Sequence, residues 1–386
     1  MSSPKSPVPE RSKVIGLVLV ACFVAMCWAP LLATFVNLSR GPGNARQEAM
    51  ARTPAFPDGL KSALRWPGAF KWYFQKRFGL REELIRLHAL VKVHGLGMTS
   101  NRDVLLGKNH WLFLASERVL DYDRNSDPFS SKELARWTSE LDARRQWVEA
   151  HGARYLVVIA PNKHTTYPDL LPEHLAPHAT TTRLDQLLKA CEGRVDVLDL
   201  RPALESGRKR GRVFHVTDTH WNLLGGWFGS RAILDHLGPG PWANVLGRDP
   251  GPPREVSVPG GDLARMLGLR EDWTEADVQP SVVPGPLVDD AGRAVQWTHV
   301  DVRTEDVVVA RSKQRTGKVV VLRDSFGEAL IPWLSQCFAR TVWIATYGMD
   351  RARIEREHPD LVIQQLVERK LMTIEPSAEP GGLLKL

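Results

Sequence analysis

The feature that most constrains this chain is an alternation of two periodicities. Short β-branched runs, YLVVIA (155–160), VDVLDL (195–200), VVVA (307–310), VVVL (319–322) and VWIAT (342–346), are separated by helically spaced stretches at 180–190, 221–237 and 328–338. LVI (361–363) adds a further strand, and QQLVERKL (364–371) reads as the helix after it. Strands alternating with helices imply a mostly parallel sheet with helices on both faces. Residues 131–150 form an amphipathic helix with Leu134, Trp137, Leu141 and Val148 on one face and Ser131 as its N-cap. GKNHWLFL (107–114) reads as a short strand entering the domain, and 238–305 is rich in Gly and Pro and weakly patterned.

The N-terminus follows different rules. Residues 14–36, VIGLVLVACFVAMCWAPLLATFV, carry no charge, and Lys5, Arg11 and Lys13 precede them. About 20 apolar residues span a bilayer as a helix, and basic flanks hold the preceding segment in the cytoplasm. The expectation is an uncleaved signal-anchor. A cleavable signal would have a shorter apolar core and a small-residue cleavage site. Residues 1–13 are then a cytoplasmic tail, 37–66 a linker and 67–386 the folded domain, facing the periplasm or cell exterior. From Phe70, FKWYFQKRFGLREELIRLHALVKVHG has helical spacing.

Composition narrows the function classes. Of 386 residues 43% are hydrophobic and 25% charged, which is globular, with room for one large or two small domains. The net charge of +7 suits an anionic partner. No nucleic-acid motif accompanies it, so no nucleic acid is expected. Cys22, Cys27, Cys191 and Cys337 form no CxxC pair, so neither zinc nor a disulfide framework is signalled.

Sites in parallel α/β sheets collect at the carboxyl ends of strands. VVVLRDSFG (319–327) puts Ser325 there, just before a helix. Backbone N–H groups at that helix start are available to an oxyanion, and Gly327 permits close approach of substrate. The competing reading makes Ser325 a helix cap. A nucleophilic serine needs a base. HVTDTHWN (215–222) offers one, because Asp218 and His220 stand two apart and share a side in extended chain. A carboxylate there fixes the imidazole tautomer and stabilises the imidazolium. His215 and His164 are rival bases, and a capping Asp218 with a solvated His220 is the other alternative. APNKHTTYPDLLP (160–172) follows a central strand, so Asn162, Lys163, His164 and Tyr167 lie within reach of a substrate. GGDLARMLGL (260–269) is a glycine turn into a helix in which Asp262 is either a cap or a ligand.

Taken together, RDSFG, the Asp218-Thr-His220-Trp221 motif, PNKHTTYP and GKNHWLF resemble the alginate O-acetyltransferase group, the AlgX/AlgJ-like family with its DHHW relatives. FKWYFQKRFGLR, GGDLARMLG and PDLVIQQLVERKL fit it too, and the resemblance covers about 65–375. It implies an α/β, SGNH-hydrolase-like, circularly permuted domain: a mostly parallel sheet sandwiched by helices, preceded by one transmembrane helix. It also implies a polysaccharide O-acetyltransferase in which Ser325 carries the acetyl group, His220 is the general base and Asp218 orients it. Asn162 becomes a candidate oxyanion donor and Trp221 a substrate contact. Arg323 stands where SGNH hydrolases have glycine, so it becomes a candidate contact to an anionic sugar. The implied partners are a polysaccharide, possibly acidic, the inner membrane, and a multi-span membrane acyltransferase that supplies acetyl groups. No cofactor is implied, and no phosphate-cradling motif for acetyl-CoA is present. A carbohydrate esterase using the same triad and a non-catalytic glycan-binding scaffold are the alternatives.

Overall fold

The computed structural model describes residues 10–36, 53–175, 181–240, 242, 245–282, 284–289, 291–294, 307–312, 315–376 and 383–385. Most of the tail, linker positions 37–52 and the stretch 295–306 lie outside these. The chain divides into two compact units, Met1–Val91 and Lys92–Leu386.

The first unit holds three long helical segments, α1 (Glu10–Val36), α2 (Leu60–Arg77) and α3 (Arg81–Leu90). α2 begins inside the expected linker. The single helix expected from Phe70 onward is broken where Leu80 takes a left-handed φ of 58°, and the chain passes from α3 directly into a π turn, Val91–Gly95. Among the described residues no helix is long and apolar enough to cross a membrane. The span expected over 14–36 is therefore not established by the fold, although α1 covers it and exposes Val14, Leu17, Phe23 and Met26.

In the second unit β1 (Val104–Leu106) and β2 (Leu112–Leu114) form an antiparallel hairpin. GKNHWLFL thus makes a 3-10 turn before its strand and pairs locally. Helix α4 (Ser131–Ala150) is capped by Ser130 rather than Ser131: Glu133 N–H donates to Ser130 Oγ, and the Glu133 carboxylate accepts the Ser130 N–H at 2.9 Å. Then come β3 (Arg154–Ala160), α5 (Arg183–Cys191), β4 (Val197–Asp199), α6 (Leu223–Leu237), β5 (Arg254–Pro259), α7 (Asp262–Met266), β6 (Thr274–Gln279), β7 (Val307–Arg311), β8 (Lys318–Arg323), β9 (Arg340–Ala345) and β10 (Leu361–Val367).

Six strands form the main sheet in the order β4-β3-β10-β8-β9-β7. All pairs are parallel except β7 with β9. Side chains alternate between the faces of a strand, and here both faces are buried. Leu156, Val158, Val319, Val321, Leu361 and Ile363 pack into one core with Trp221, Trp227 and Trp333. Val157, Ile159, Val320, Leu322, Val362 and Leu366 pack into the other with Trp137, Leu141 and Leu187. Each such side chain stabilises the fold by about 1.5–3 kcal/mol relative to exposure, which is why the strands read as unbroken apolar runs. The α/β sandwich expected from the alternation is the observed architecture.

One element differs in kind. QQLV, read as helix, continues β10 through Val367, and all seven residues of that strand are buried. Gln364 is accommodated because its Oε1 accepts from Arg144 Nη1 at 2.8 Å. The weakly patterned region also contains more than loop. β5 and β6 pair antiparallel over six residues with α7 between them.

Candidate active site

β8 delivers Ser325 to the carboxyl edge of the sheet. The strand stops at Arg323, and Asp324 caps the 3-10 turn Ser325–Leu330: its Oδ1 accepts the Phe326 N–H at 2.9 Å. Asp324 Oδ2 accepts the Val367 N–H of β10 at 2.7 Å, tying the turn to the central strand. The cap is therefore Asp324, and Ser325 Oγ is left for other work. It lies 2.7 Å from His220 Nε2, and His220 Nδ1 lies 2.6 Å from Asp218 Oδ1.

The histidine arrives on a tight loop rather than an extended strand. Phe214 bridges Trp221, and His215 N–H donates to the His220 carbonyl at 3.3 Å. Asp218 also accepts the His220 N–H at 2.9 Å, so spacing by two works here through a turn. The loop tip is clasped by the β5–β6 hairpin. Thr217 donates its N–H and hydroxyl to Glu275 Oε2 at 2.7 and 2.9 Å. Asp262 N–H donates to Asp218 Oδ2 at 2.7 Å, and Asp262 Oδ1 accepts the Thr219 N–H at 2.7 Å. Asp262 Oδ2 sits 3.7 Å from His220 Nδ1. Asp262 thus does not cap its helix, whose N-cap is Gly261, but is part of the site.

Main-chain contact sets the position of the base relative to the nucleophile. A Cβ at Gly226, in the first turn of α6, would meet the Ala329 carbonyl oxygen at 2.1 Å. The helix that follows His220 therefore lies directly against the turn that begins at Ser325. Trp221 Nε1 adds a hydrogen bond to the Phe326 carbonyl at 2.7 Å.

The electrostatics follow from this packing. Burial alone would lower the His220 pKa, but the Asp218 charge and hydrogen bond outweigh it and raise the value above 6.5. Burial would likewise raise Asp218, yet the His220 charge and hydrogen bond hold it well below the carboxylate range. Asp262 is pushed up by burial and by Asp218. Asp218, His220 and Asp262 are close enough to hold a cation. However, His220 Nδ1 is engaged by Asp218, and each carboxylate accepts a backbone N–H, so the donors are already committed.

Several expectations are corrected. His215 is no rival base: despite burial, its Nδ1 contacts to Glu275 and Asp277, both 3.1 Å, raise it to about 10, so it stays protonated. His164 is held down to about 3 by burial and by Lys163. Lys163 is buried and donates from Nζ to the carbonyls of Leu112, Val216 and Asp218 at 2.6, 2.9 and 3.0 Å, bracing the histidine loop instead of reaching substrate. Tyr167 is buried, and its hydroxyl accepts the Val213 N–H at 3.0 Å. Trp221 is buried beneath Phe326. Arg323 is buried too, with Nη1 donating to the Asp324 carbonyl at 3.2 Å and lying 3.6 Å from Glu328, so it faces no sugar. A Cβ at Gly327 would meet Arg323 Cδ at 2.5 Å, so that glycine makes room for Arg323 and not for substrate. The N–H groups of Phe326 and Gly327, expected to face an oxyanion, donate to Asp324 Oδ1 and to its carbonyl.

Asn162 is different. Its N–H donates to Glu368 Oε2 at 2.7 Å, while its wholly buried side-chain amide has no hydrogen-bond partner among the described residues. It stands just past the end of β3, on the same sheet edge as Ser325.

Residues 104–294 match the family described as SGNH hydrolase-like domain, acetyltransferase AlgX. That stretch includes Asp218, His220 and Asp262, and Ser325 lies beyond it. The probable alginate O-acetylase AlgJ of Pseudomonas putida is 26% identical over 133 residues, 34% of this chain and 33% of that protein. The AlgJ of Pseudomonas syringae pv. tomato is 26% identical over 163 residues, 42% of this chain and 40% of that protein. The chain thus matches well under half the length of these relatives. The structure of Bacillus cereus PatB1 with a sulfonyl adduct superposes with a TM-score of 0.50 at 16% identity, covering 74% of this chain and 99% of that one, a likeness of fold. Over residues 104–294, this chain is similar to the AlgX/AlgJ-like family of SGNH-hydrolase-like domains.

Proposed function

We propose that the protein is a membrane-anchored O-acetyltransferase that acetylates hydroxyl groups of an exported polysaccharide. The observation that carries this is the continuous chain Ser325 Oγ–His220 Nε2–Asp218, with links of 2.7 and 2.6 Å. The names of the AlgJ relatives support the acetyl group and the polysaccharide.

In the first half-reaction Ser325 Oγ attacks the acetyl carbonyl while His220 Nε2 takes its proton. The tetrahedral intermediate collapses, and His220 returns the proton to the leaving group of the donor. Ser325 is left acetylated. A sugar hydroxyl then attacks the ester carbonyl, gives its proton to His220, and the proton passes to Ser325 Oγ as the serine leaves. Asp218 stabilises the imidazolium in both halves. The unpartnered amide of Asn162 is the candidate donor to the oxyanion, since a buried polar group without a partner calls for a role.

The anchor in this reading is residues 14–36. Their uncharged sequence and the exposed apolar side chains of α1 support it. The catalytic unit would then face the periplasm, where a multi-span membrane acyltransferase is the fitting source of acetyl groups.

Turnover of a chromogenic acetyl ester, with and without an oligosaccharide acceptor, tests the proposal. Ser325→Ala and His220→Ala abolish transfer, Asp218→Ala lowers it by about 10³–10⁴-fold, and Asn162→Ala lowers kcat by about 10²–10³-fold. Full activity in Ser325→Ala would end the mechanism. Acetyl release to water with no transfer to any acceptor would make the protein an esterase.

A further inference from the structure

Helix α2 carries a surface that the catalytic reading does not use. At 100° per residue its sequence separates into two halves. Leu60, Leu64, Trp66, Phe70 and Phe74 fall on one, with Lys71 between the two leucines, and Lys61 and Arg65 fall on the other, flanking Trp72. The helix contains no Asp or Glu. Its aromatic rings and the flanking Phe56 and Phe78 form a continuous ladder: Phe56 to Trp66 at 5.8 Å, Trp66 to Phe70 at 4.9 Å, Phe70 to Phe74 at 6.2 Å and Phe74 to Phe78 at 5.5 Å. This ladder is not a closed core. Leu60 is 80% exposed, Leu64 76% and Phe70 41%. Lys61, Arg65 and Lys71 are exposed as well.

A contiguous exposed apolar face marks an interaction surface, and the charges decide what meets it. A purely apolar partner leaves the basic residues unanswered, whereas a cationic one is repelled. A helix with Trp, Phe and Leu on one side and Lys and Arg on the other suits the boundary between anionic headgroups and acyl chains. Basic residues near such a surface gain from its potential, and Trp and Tyr favour that depth. α2 also belongs to the same compact unit as α1 with its exposed apolar side chains.

We propose that α2 lies in the headgroup layer of an anionic phospholipid bilayer, with Leu64 and Phe70 toward the acyl chains and Lys61 and Arg65 toward water and phosphate. The inference extends the anchoring part of the reading above, but it does not require α1 to span.

The test uses the full chain with Cys22→Ser and Cys27→Ser, reconstituted in bilayers containing phosphatidylglycerol or phosphatidylcholine alone. Spin labels go singly at Leu64→Cys, Phe70→Cys, Lys61→Cys and Arg65→Cys, and at Leu17→Cys to report on the anchor. In phosphatidylglycerol bilayers the labels at 64 and 70 are reached by oxygen and shielded from a water-soluble nickel complex. Those at 61 and 65 show the reverse. This contrast is lost in phosphatidylcholine and in the triple variant Lys61→Gln, Arg65→Gln, Lys71→Gln, whose thermal unfolding matches the parent. Nickel access at 64 and 70 overturns the proposal. So does shielding from both agents, which would mean a protein partner covers the helix, and so does an unchanged contrast in phosphatidylcholine. The label at 17 reads separately: if it is immersed while 64 and 70 are wet, the anchor stands and the α2 proposal falls.

Discussion

His220 carries its function in the balance of its neighbours. Burial favours the neutral ring and Asp218 favours the charged one, and Asp218 prevails. A general base works only when neutral, so activity falls as pH drops through a pKa that lies above the ordinary 6.5. The acidic limb of kcat/KM for acetyl-ester turnover should therefore lie above that value. In Asp218→Asn the limb should move down, because the charge that raises the imidazole is gone. A limb that does not move would show that another group controls it. Three residues of this site were legible in the sequence, since Ser325, His220 and Asp218 converge as their motifs imply. The polar residues assigned to substrate were misplaced for one common reason. Lys163, Tyr167, Trp221 and Arg323 are polar or amphipathic beside a site, and sequence does not distinguish a side chain that faces the cleft from one that braces its wall. Asp262 and Glu275 reach the loop only through the β5–β6 hairpin, more than 40 positions downstream in the case of Asp262, as the Asp262 to Asp218 bond shows.

Among the elements, the turn after β8 shows how little freedom surrounds the nucleophile. Arg323 fills the space beneath Gly327, and a Cβ there would lie 2.5 and 2.7 Å from Arg323 Cδ and Cβ and 3.1 Å from Gln365 Oε1. Arg323 Cβ cannot swing aside as the end of a long side chain does. Gly327→Ala should cost about 1–3 kcal/mol of stability and lower kcat, since the displaced turn starts at Ser325. An unchanged Tm with full ester turnover would contradict that. Strands and helices with clean periodicity were readable here: β3, β8, β9, α4 and α6 fall within a few residues of their expected places. β10 was misread from Gln364 onward because two glutamines look like a helix surface. Within the sheet Gln364 is satisfied by Arg144, and Gln365 Oε1 accepts the Asp324 N–H at 3.3 Å. The β5–β6 hairpin was missed because its strands leave half their residues exposed and carry few apolar side chains.

For the whole molecule, one buried acid links pH to stability. Burial drives Glu368 up to about 7, against Thr165, the Asn162 N–H and Arg201. The ordinary value is 4.5. Between those two pH values the unfolded chain has lost the proton that the folded chain keeps, so stability falls as pH rises and levels off above 7. The loss is about 3 kcal/mol at most. Glu368→Gln should remove this dependence, raising Tm at pH 8 relative to the parent while changing it little at pH 4. Parallel Tm curves for the two proteins across that range would refute the assignment. The close approach at Gly226 bears on how such a molecule can change over time. Where base and nucleophile are spaced by packed side chains, each exchange in the core shifts the spacing a little. Here two main chains lie in apposition, so the surrounding side chains can drift at a cost in stability alone. At Gly226 that spacing is guarded by the hydrogen atom that glycine carries in place of a methyl group.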